Sequence, residues 1–514
     1  MPVDRFVWRA YISPFPPWCR LPGQIQADVI GGNQKRQFVH GFRANPRIYS
    51  RTGEVLNNNP RPGRERRGRW RMKKIALFCS GGQGLNSPYT PEMIYVPKRA
   101  VDWDACADEE IRLTFYVKLP GAVVADAKNG ELSDMPEKVR FVLIPEKSSI
   151  DEIADLIAAD RPDVAVAVTV PDIPYDWNQL RDAMVAKKLA ARGIKTIAHE
   201  PDMAMTAFKK SALNEMLLQN GFFAARHFLV EGNLFFSDRD AGIRMNVYRE
   251  YAEHVLSGFH FPVVIKPDCA AGNSGLKVAC SLEEAMNVLS SGNAHVDMLV
   301  EELIRGEAFG VEIYGVPGDY SVTPAVKLYT AEDGVTDPAF GVKYGPVFDE
   351  KYELTALHQE MRRLAELLKL RGAAEIDLVF SEGRWYIIEA NLRYTFLSLM
   401  IAAMRGKSVF APYVEVAIGN IPVFEKTALK RVIDFNTNRL SDDRMKRLHE
   451  KYDFIAYIAR FRLSISASEE ENYCEFVVTG ETNDELIEHI ELLRKNEDHL
   501  VEDQTYQRIR HILC

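Results

Sequence analysis

This 514-residue chain is first defined by what it lacks. It contains no run of 18 or more apolar residues, whereas a bilayer-spanning helix needs about 20, so no membrane partner is expected. The start has no apolar core of the kind that marks a secretory signal. Cysteine is sparse: seven residues, an odd number, scattered and without a CxxC pair. That argues against a disulfide framework or a zinc site and for reduced thiols in a cytoplasmic setting. There is no GxSxG nucleophile elbow, no GxGxxG fingerprint and no internal repeat. A net charge of −8 gives no general reason to expect nucleic acid as a partner. The remaining composition, 46% hydrophobic and 26% charged, is that of a soluble globular protein long enough for two to four domains.

Charge is distributed unevenly. Residues 1–71 hold 13 Arg and one Lys against four acidic residues, a balance of +10 that leaves −18 for the rest. This leader is rich in Pro, Gly and Asn, as in "NNNPRPGRERRGRWR" (57–71), and has no sustained periodicity. A basic arm for nucleic acid or a transit peptide is one reading. The preferred reading is a disordered extension, translated from upstream of the true start, because the body from Met72 onward reads as complete without it.

From Met72 the pattern alternates. "KIALFC" (74–79), "RFVLIP" (140–145), "DVAVAVTV" (163–170) and "IKTIA" (194–198) read as strands. "SIDEIADLIAAD" (149–160) and "QLRDAMVAKKLAARG" (179–193) read as the helices between them. Such alternation implies a parallel sheet covered on both faces. "GGQG" (81–84) after the first strand is a tight turn or substrate loop, since no acidic residue follows at dinucleotide spacing. Next come a helix over 206–222 with a Thr206 cap, a strand over 261–267, a helix over 281–292, and two strands across 297–316. A helix over 361–372 and a hairpin over 373–393 turning at Glu382-Gly383 follow. Beyond residue 420 lies a smaller strand–strand–helix unit. The segment 330–350 is expected to be a loop reaching the active site, with Lys343 as an anion contact, or else an exposed surface loop.

The stretch "VVIKPDCAAGNSGLKV" (263–278) carries the first chemical signal. A strand of β-branched residues ends in Lys266, which is costly to bury without a fixed negative charge. The loop after it has small side chains, so its backbone amides can approach an anion closely. A lysine and such a loop suit the phosphates of a nucleotide. Downstream, "VEELIRGEAF" (300–309) offers main-chain groups that could read adenine around Glu301 to Leu303, with Glu301, Glu302 and Glu307 as candidates for ribose hydroxyls. The hairpin adds a more specific set. Asp377 and Glu389 lie on facing strands, and Asn391 is two residues past Glu389, hence on the same face. Two carboxylates and an amide oxygen are hard ligands suited to Mg²⁺, with Mn²⁺ as the substitute. Arg393 follows at the same parity, placed to neutralise a transferring phosphoryl group or a tetrahedral intermediate.

In order, Lys210, Lys266 with its small-residue loop, the 300–307 hinge and Asp377-x11-Glu389-x-Asn391-x-Arg393 resemble the ATP-grasp superfamily, which includes D-alanine–D-alanine ligase, L-amino-acid ligases and biotin carboxylase. The resemblance covers roughly residues 72–420 and is clearest over 206–400. It implies a mixed α/β and α+β chain. The expected layout is a leader (1–71), an N-terminal parallel-sheet pre-ATP-grasp domain (72–200), two ATP-grasp subdomains (201–296 and 297–420) and a small C-terminal α+β lobe (421–514). It further implies that ATP contacts Lys210, Lys266, the loop at Gly272 and Ser274, and the hinge at Glu301, Leu303 and Glu307. Magnesium would be held by Asp377, Glu389 and Asn391, while Arg393 and Lys266 would carry the catalysis.

Three departures stand out. Lys209 occupies the position where the family has an aspartate, and Ala308 the position of its second acidic hinge residue, which weakens Glu307 as a ribose ligand. "YTFLSLM" (394–400) replaces a glycine-rich segment and is either an apolar pocket lining or helix core. The implied reaction is ATP-dependent activation of a small carboxylate as an acyl-phosphate and its joining to an amine, so the partners are a small-molecule acid and amine. A homodimer is left open. The alternatives are a carboxylase-like or acid–thiol ligase of the same fold and a catalytically silent nucleotide-binding regulatory protein.

Overall fold

The computed structural model describes residues 72–81, 99–107, 110–118, 126–128, 131–134, 136–145, 147–170, 177–241, 245–269, 275–330, 341–395, 397–438, 440–462 and 472–513. The leader, the GGQG turn past Gly81, Gly272, Ser274 and residues 331–340 lie outside them. Residues Arg69–Cys514 form one compact unit. Among the described residues no helix is long and apolar enough to cross a membrane.

The first layer is a parallel sheet in the spatial order Arg140–Ile144, Ile111–Lys118, Lys73–Cys79, Val164–Ala167, Lys195–Ile197. Its central strands are almost wholly apolar, as expected of strands buried on both faces. Helix Ile150–Ala159 starts at Ser149, whose hydroxyl and the Glu152 carboxylate form a reciprocal capping box. It packs beside helix Trp177–Ala191. The chain builds outward from Lys73–Cys79 on one side, then returns to its other side with Val164–Ala167. The order therefore reverses between these two strands, and a crevice opens at their carboxyl ends. The central strand Ile111–Lys118 was not foreseen from the sequence.

A four-stranded antiparallel sheet follows, in the order Lys277–Ala279, Val263–Pro267, Met298–Glu302, His227–Val230. The largest sheet runs Arg384–Asn391, Gly372–Ser381, Glu307–Val316, Val326–Leu328, Val342–Gly345, Arg431–Asn438, Asn472–Gly480, Ile455–Arg462, with Asp319–Val322 paired to Glu307–Val316. The strands of the C-terminal stretch thus continue the sheet that carries the Asp377–Glu389 hairpin.

Strand parity divides this sheet into two unlike faces. On one, Phe309, Val311, Ile313, Ile376 and Leu378 pack with Leu357, Met361 and Leu364 of helix Leu354–Leu367. Each such burial contributes roughly 1.5–3 kcal/mol. That helix begins seven residues before its expected start, because Leu354, Leu357, Met361 and Leu364 already keep helical spacing. The other face carries Glu312 and, through the pairings Gly310↔Asp377, Glu312↔Glu375, Asp377↔Glu389 and Glu375↔Asn391, the acidic cluster. Helix Leu397–Arg405 covers part of that face; Leu397, Leu399 and Met400 are buried in it and are helix core.

The helix expected over 206–222 is two helices, Pro201–Phe208 and Lys210–Gln219. Lys209 is extended between them. Asp268 explains the break: its carbonyl accepts from the Lys210 amide (3.2 Å) and its carboxylate from the Ser211 amide (2.8 Å). Thr206 is not a cap; its hydroxyl donates to the Asp202 carbonyl inside the first helix. The 330–350 segment is not all loop either, since Val342–Gly345 is a strand.

Candidate functional site

Three elements supply the cations. Lys266 is the penultimate residue of strand Val263–Pro267 and is 7% exposed. Lys210 opens helix Lys210–Gln219, fixed there by Asp268. Arg393 follows strand Arg384–Asn391 and donates through Nη2 to Asn391 Oδ1 (3.0 Å) and through Nη1 to the Tyr394 carbonyl (3.3 Å). The strand is bracketed from the first layer, because the Leu392 amide donates to Gln179 Oε1 (3.1 Å) and the Tyr394 amide to the Thr169 carbonyl (2.9 Å).

These cations meet four carboxylates. Lys266 Nζ lies 2.5 Å from Glu301 Oε2, and Glu301 Oε1 accepts from Asn214 Nδ2 at 2.9 Å. Lys210 Nζ donates to Glu389 Oε1 at 2.9 Å. Asn391 Nδ2 is 3.3 Å from both Glu375 Oε2 and Asp377 Oδ2. Burial alone would strip the proton from Lys266, but Glu301, with Glu389 and Asp377 behind it, holds its pKa above the ordinary lysine value. For Glu389, burial pushes upward and is outweighed by Lys210 and Lys266, so it stays below the usual carboxylate range. Asp377 goes the other way: burial, then Glu375 and Glu389, push it well up against the pull of Arg393 and Lys210. Glu375 is raised to about 7, mainly by burial, with Arg393 opposing. Four carboxyl groups thus face three cations, and Asp377 and Glu375 are the two that burial and their neighbours hold toward the protonated form.

That surplus is the condition a divalent cation relieves, and the donors are hard oxygens. Asp377, Glu389, Asn391 and Glu375 fit magnesium in kind. They are not preassembled around it: among the described residues no group of three or more His, Cys, Asp and Glu side chains is set to hold a metal. Asn391 turns its nitrogen to the carboxylates and its oxygen to Arg393.

Three short-range groups thus face one another, Lys266–Glu301, Lys210–Glu389 and Arg393–Asn391 with Asp377 and Glu375, and they act on each other through charge. Leu303 stands at the end of the hinge strand with its amide engaged by the Pro262 carbonyl at 3.1 Å. Glu302 faces away, accepting from the His260 amide (2.9 Å) and Arg226 (3.3 Å). Glu307 is not brought to the cluster. It has the parity of Phe309 and Val311, on the opposite face of the sheet, where Lys327 (2.6 Å) and the Tyr352 hydroxyl (2.8 Å) hold it and lower its pKa against burial. Lys343 is likewise spent: it pairs with Asp434 (3.0 Å) and with Glu475, both buried, and its proton is bound more tightly than in an ordinary lysine. Gly272 and Ser274 fall outside the described residues.

Sequence reading missed Glu375, although it lies two residues before Asp377 and the same alternation points to it. It also missed Glu312, a fully buried acid raised to about 7 by burial, which accepts from Ser398 (2.5 Å), Thr395 (3.3 Å) and Tyr314. Its interruption of the apolar strand Glu307–Val316 is the local signal that marks it. At the crevice of the first layer, Asp182 is raised to about 6 by burial; it accepts from the Ser80 amide (2.7 Å), the Ser80 hydroxyl and the Thr169 hydroxyl (2.7 Å). Ser80 follows one crevice strand and Thr169 the other.

No protein-family model matches the chain. Among curated proteins it resembles D-alanine–D-alanine ligase of Desulfotalea psychrophila, 24% identical over 152 residues, 27% of this chain and 47% of that one. The chain spans less than half the length of the curated relatives it matches. Among solved structures, the L-amino acid ligase from Bacillus licheniformis superimposes with a TM-score of 0.56 at 13% identity, over 84% of this chain and 98% of that one. The carboxyaminoimidazole ribonucleotide synthase from Aspergillus clavatus, solved with ATP, gives 0.53 at 15% identity, over 86% and 100%.

Proposed function

On the premise that the chain has the ATP-grasp fold, to which these relatives and neighbours belong, we propose that it is an ADP-forming ligase that activates a small carboxylic acid with ATP and joins it to an amine. The observation that carries this reading is the meeting of Lys210, Lys266 and Arg393 with Asp377, Glu389 and Asn391 on one sheet face. ATP as the phosphoryl donor is supported by the ATP complex of the fungal synthase.

Phosphoryl transfer needs positioning and charge stabilisation more than covalent help from the protein. Lys210 and Lys266 now rest on Glu389 and Glu301; a triphosphate entering the cleft offers them a denser negative partner. An oxygen of the acid attacks the γ-phosphorus, the bond to the bridging oxygen breaks, and ADP leaves. The acyl-phosphate that results is an electrophile. The amine attacks its carbonyl carbon, phosphate departs, and a proton is released as the amide forms. Arg393, gripped by Asn391 and the Tyr394 carbonyl, is placed to stabilise the oxyanion of that second step. Magnesium, or manganese in its stead, would be held by Asp377, Glu389 and Asn391 with Glu375 behind them, and would neutralise the phosphates when bound. The crevice beside Ser80 and Thr169 opens toward Arg393, since Thr169 bonds the residue next to it, and is the place assigned to the acid or amine.

The test is a matrix of small acids against amines and amino acids, read by ADP formation and product mass. A pair giving ADP and a product lighter than the sum of acid and amine by one water supports the reading. ATP binding with no acid-dependent ADP across the matrix, in wild type as in Glu389→Gln, would instead favour a silent nucleotide-binding protein.

A further inference from the structure

A second cavity, of about 480 Å³, shares no residue with the charged cluster. Its size falls in the range of small-molecule sites, roughly 300–1,000 Å³. Its walls are one flank of helix Leu354–Leu367, strand Asp319–Val322, the segment at Val347–Phe348 and the connector 421–426. The lining interleaves basic and aromatic residues. Arg362, His358 and Lys426 supply the first; Tyr320, Phe348 and Phe424 supply the second; no carboxylate lines it.

These basic groups make no close ion pair, although Lys426 also borders an adjoining recess that holds Asp349, Glu350 and Glu353. Among the described residues neither Arg362 nor Lys426 has an ion-pair partner, whereas the adjacent Arg363 is paired with Glu360 at 2.7 Å. Arg362 makes only a long hydrogen bond to the Tyr320 carbonyl, 3.4 Å. Lys426 Nζ lies 4.7 Å from the centre of the Phe348 ring, which leaves its charge unneutralised. The His358 ring is tied to the Thr323 backbone, and its Nε2 is buried with no hydrogen-bond partner. A cationic recess with an aromatic wall favours an anion with a flat apolar body.

We propose that this cavity binds a small organic anion, a phosphate or carboxylate met by Arg362 and Lys426 on an aromatic body laid against Phe348 and Phe424. The occupant would tie helix Leu354–Leu367 to the connector that precedes the C-terminal strands. The proposal does not depend on ligase activity.

The experiment is calorimetric titration of the full chain at low salt with phenyl phosphate, benzoate and inorganic phosphate, each with and without saturating ADP and magnesium. Phenyl phosphate or benzoate is expected to bind in both conditions; which of the two binds more tightly distinguishes phosphate from carboxylate. Inorganic phosphate is expected to bind at least tenfold more weakly than phenyl phosphate. Lys426→Glu, at an exposed position, and the double variant Arg362→Gln/Lys426→Gln should each weaken binding at least tenfold while leaving the response to ADP and magnesium as in wild type. Three results would overturn the proposal: no heat from any probe up to about 10 mM, a concentration range already weaker than about −4 kcal/mol sites; displacement of phenyl phosphate by ADP; or unchanged affinity in Lys426→Glu. Inorganic phosphate binding as tightly as phenyl phosphate would overturn the aromatic body.

Discussion

Lys266 and Glu301 stand on neighbouring antiparallel strands in diagonal register, Lys266 opposite Leu299 and Glu301 opposite Val264, with Nζ and Oε2 2.5 Å apart and both residues buried. Glu301 is the main charge that keeps Lys266 protonated in the interior. Removing one partner of such a pair costs far more than the pair itself contributes.

Glu301→Gln should therefore destabilise the protein by about 3–5 kcal/mol. Saturating ATP with magnesium should recover more melting temperature in this variant than in wild type, because phosphate oxygens can replace the missing carboxylate beside Lys266. Equal recovery in both proteins would mean that Lys266 does not face the triphosphate.

Glu389→Gln removes the carboxylate that Lys210 holds at 2.9 Å. Acid-dependent ADP formation should fall by about 100-fold or more, with circular dichroism and solubility near wild type. Near-normal turnover would refute its place among the metal ligands.

Glu375→Gln separates stability from metal binding. Glu375 is one of the charges that pushes Asp377 up. At pH 8, where a group of pKa about 7 is mostly ionised, the amide should stabilise the metal-free protein by up to about 3 kcal/mol. It should also raise the magnesium concentration needed for half-maximal ADP formation. Thermal denaturation with and without magnesium reads both effects.

His199 gives a pH dependence of definite sign. The Arg371 amide donates to its Nδ1 at 3.3 Å, so Nε2 carries the proton and donates to the Ala373 carbonyl at 3.0 Å. Burial lowers its pKa from 6.5 to about 4, against the support of that carbonyl. A group whose pKa is depressed on folding contributes stability that is whole above the unfolded value and is lost as pH falls. Between pH 6.5 and about 4 the unfolded chain takes the proton and the native one does not, for a loss of about 3 kcal/mol. Denaturant unfolding of His199→Gln against wild type should show a difference that shrinks across this window. A constant difference from pH 8 to pH 4 would contradict the lowered pKa of the buried ring.

What the sequence made legible followed from short-range periodicity. Asp377, Glu389, Asn391 and Lys266 stand out because each interrupts an apolar strand at a fixed parity. The same rule, applied to "AAEIDLVF", would have found Glu375, and applied to "EAFGVEI" would have set Glu307 on the wrong side for a nucleotide. Other features depend on partners distant in the chain. The break before Lys210 is made by Asp268, 58 residues on, and nothing local in "AFKKSAL" announces it. Lys343 reads as a free loop cation until Asp434 and Glu475 arrive from strands about 90 and 130 residues later. The cavity near Arg362 is assembled from four separated segments and has no signature in any of them.

The two amides flanking Arg393 hang on Gln179 and Thr169. The arginine is thus held like a beam resting on two brackets, and both brackets belong to the amino-terminal layer. A hybrid in which that layer came from a relative would inherit the lysine–carboxylate cluster intact yet find its guanidinium aimed by foreign supports. Exchange of substrate preference by domain grafting should accordingly succeed only when Gln179, Thr169 and the stretch 392–394 travel together.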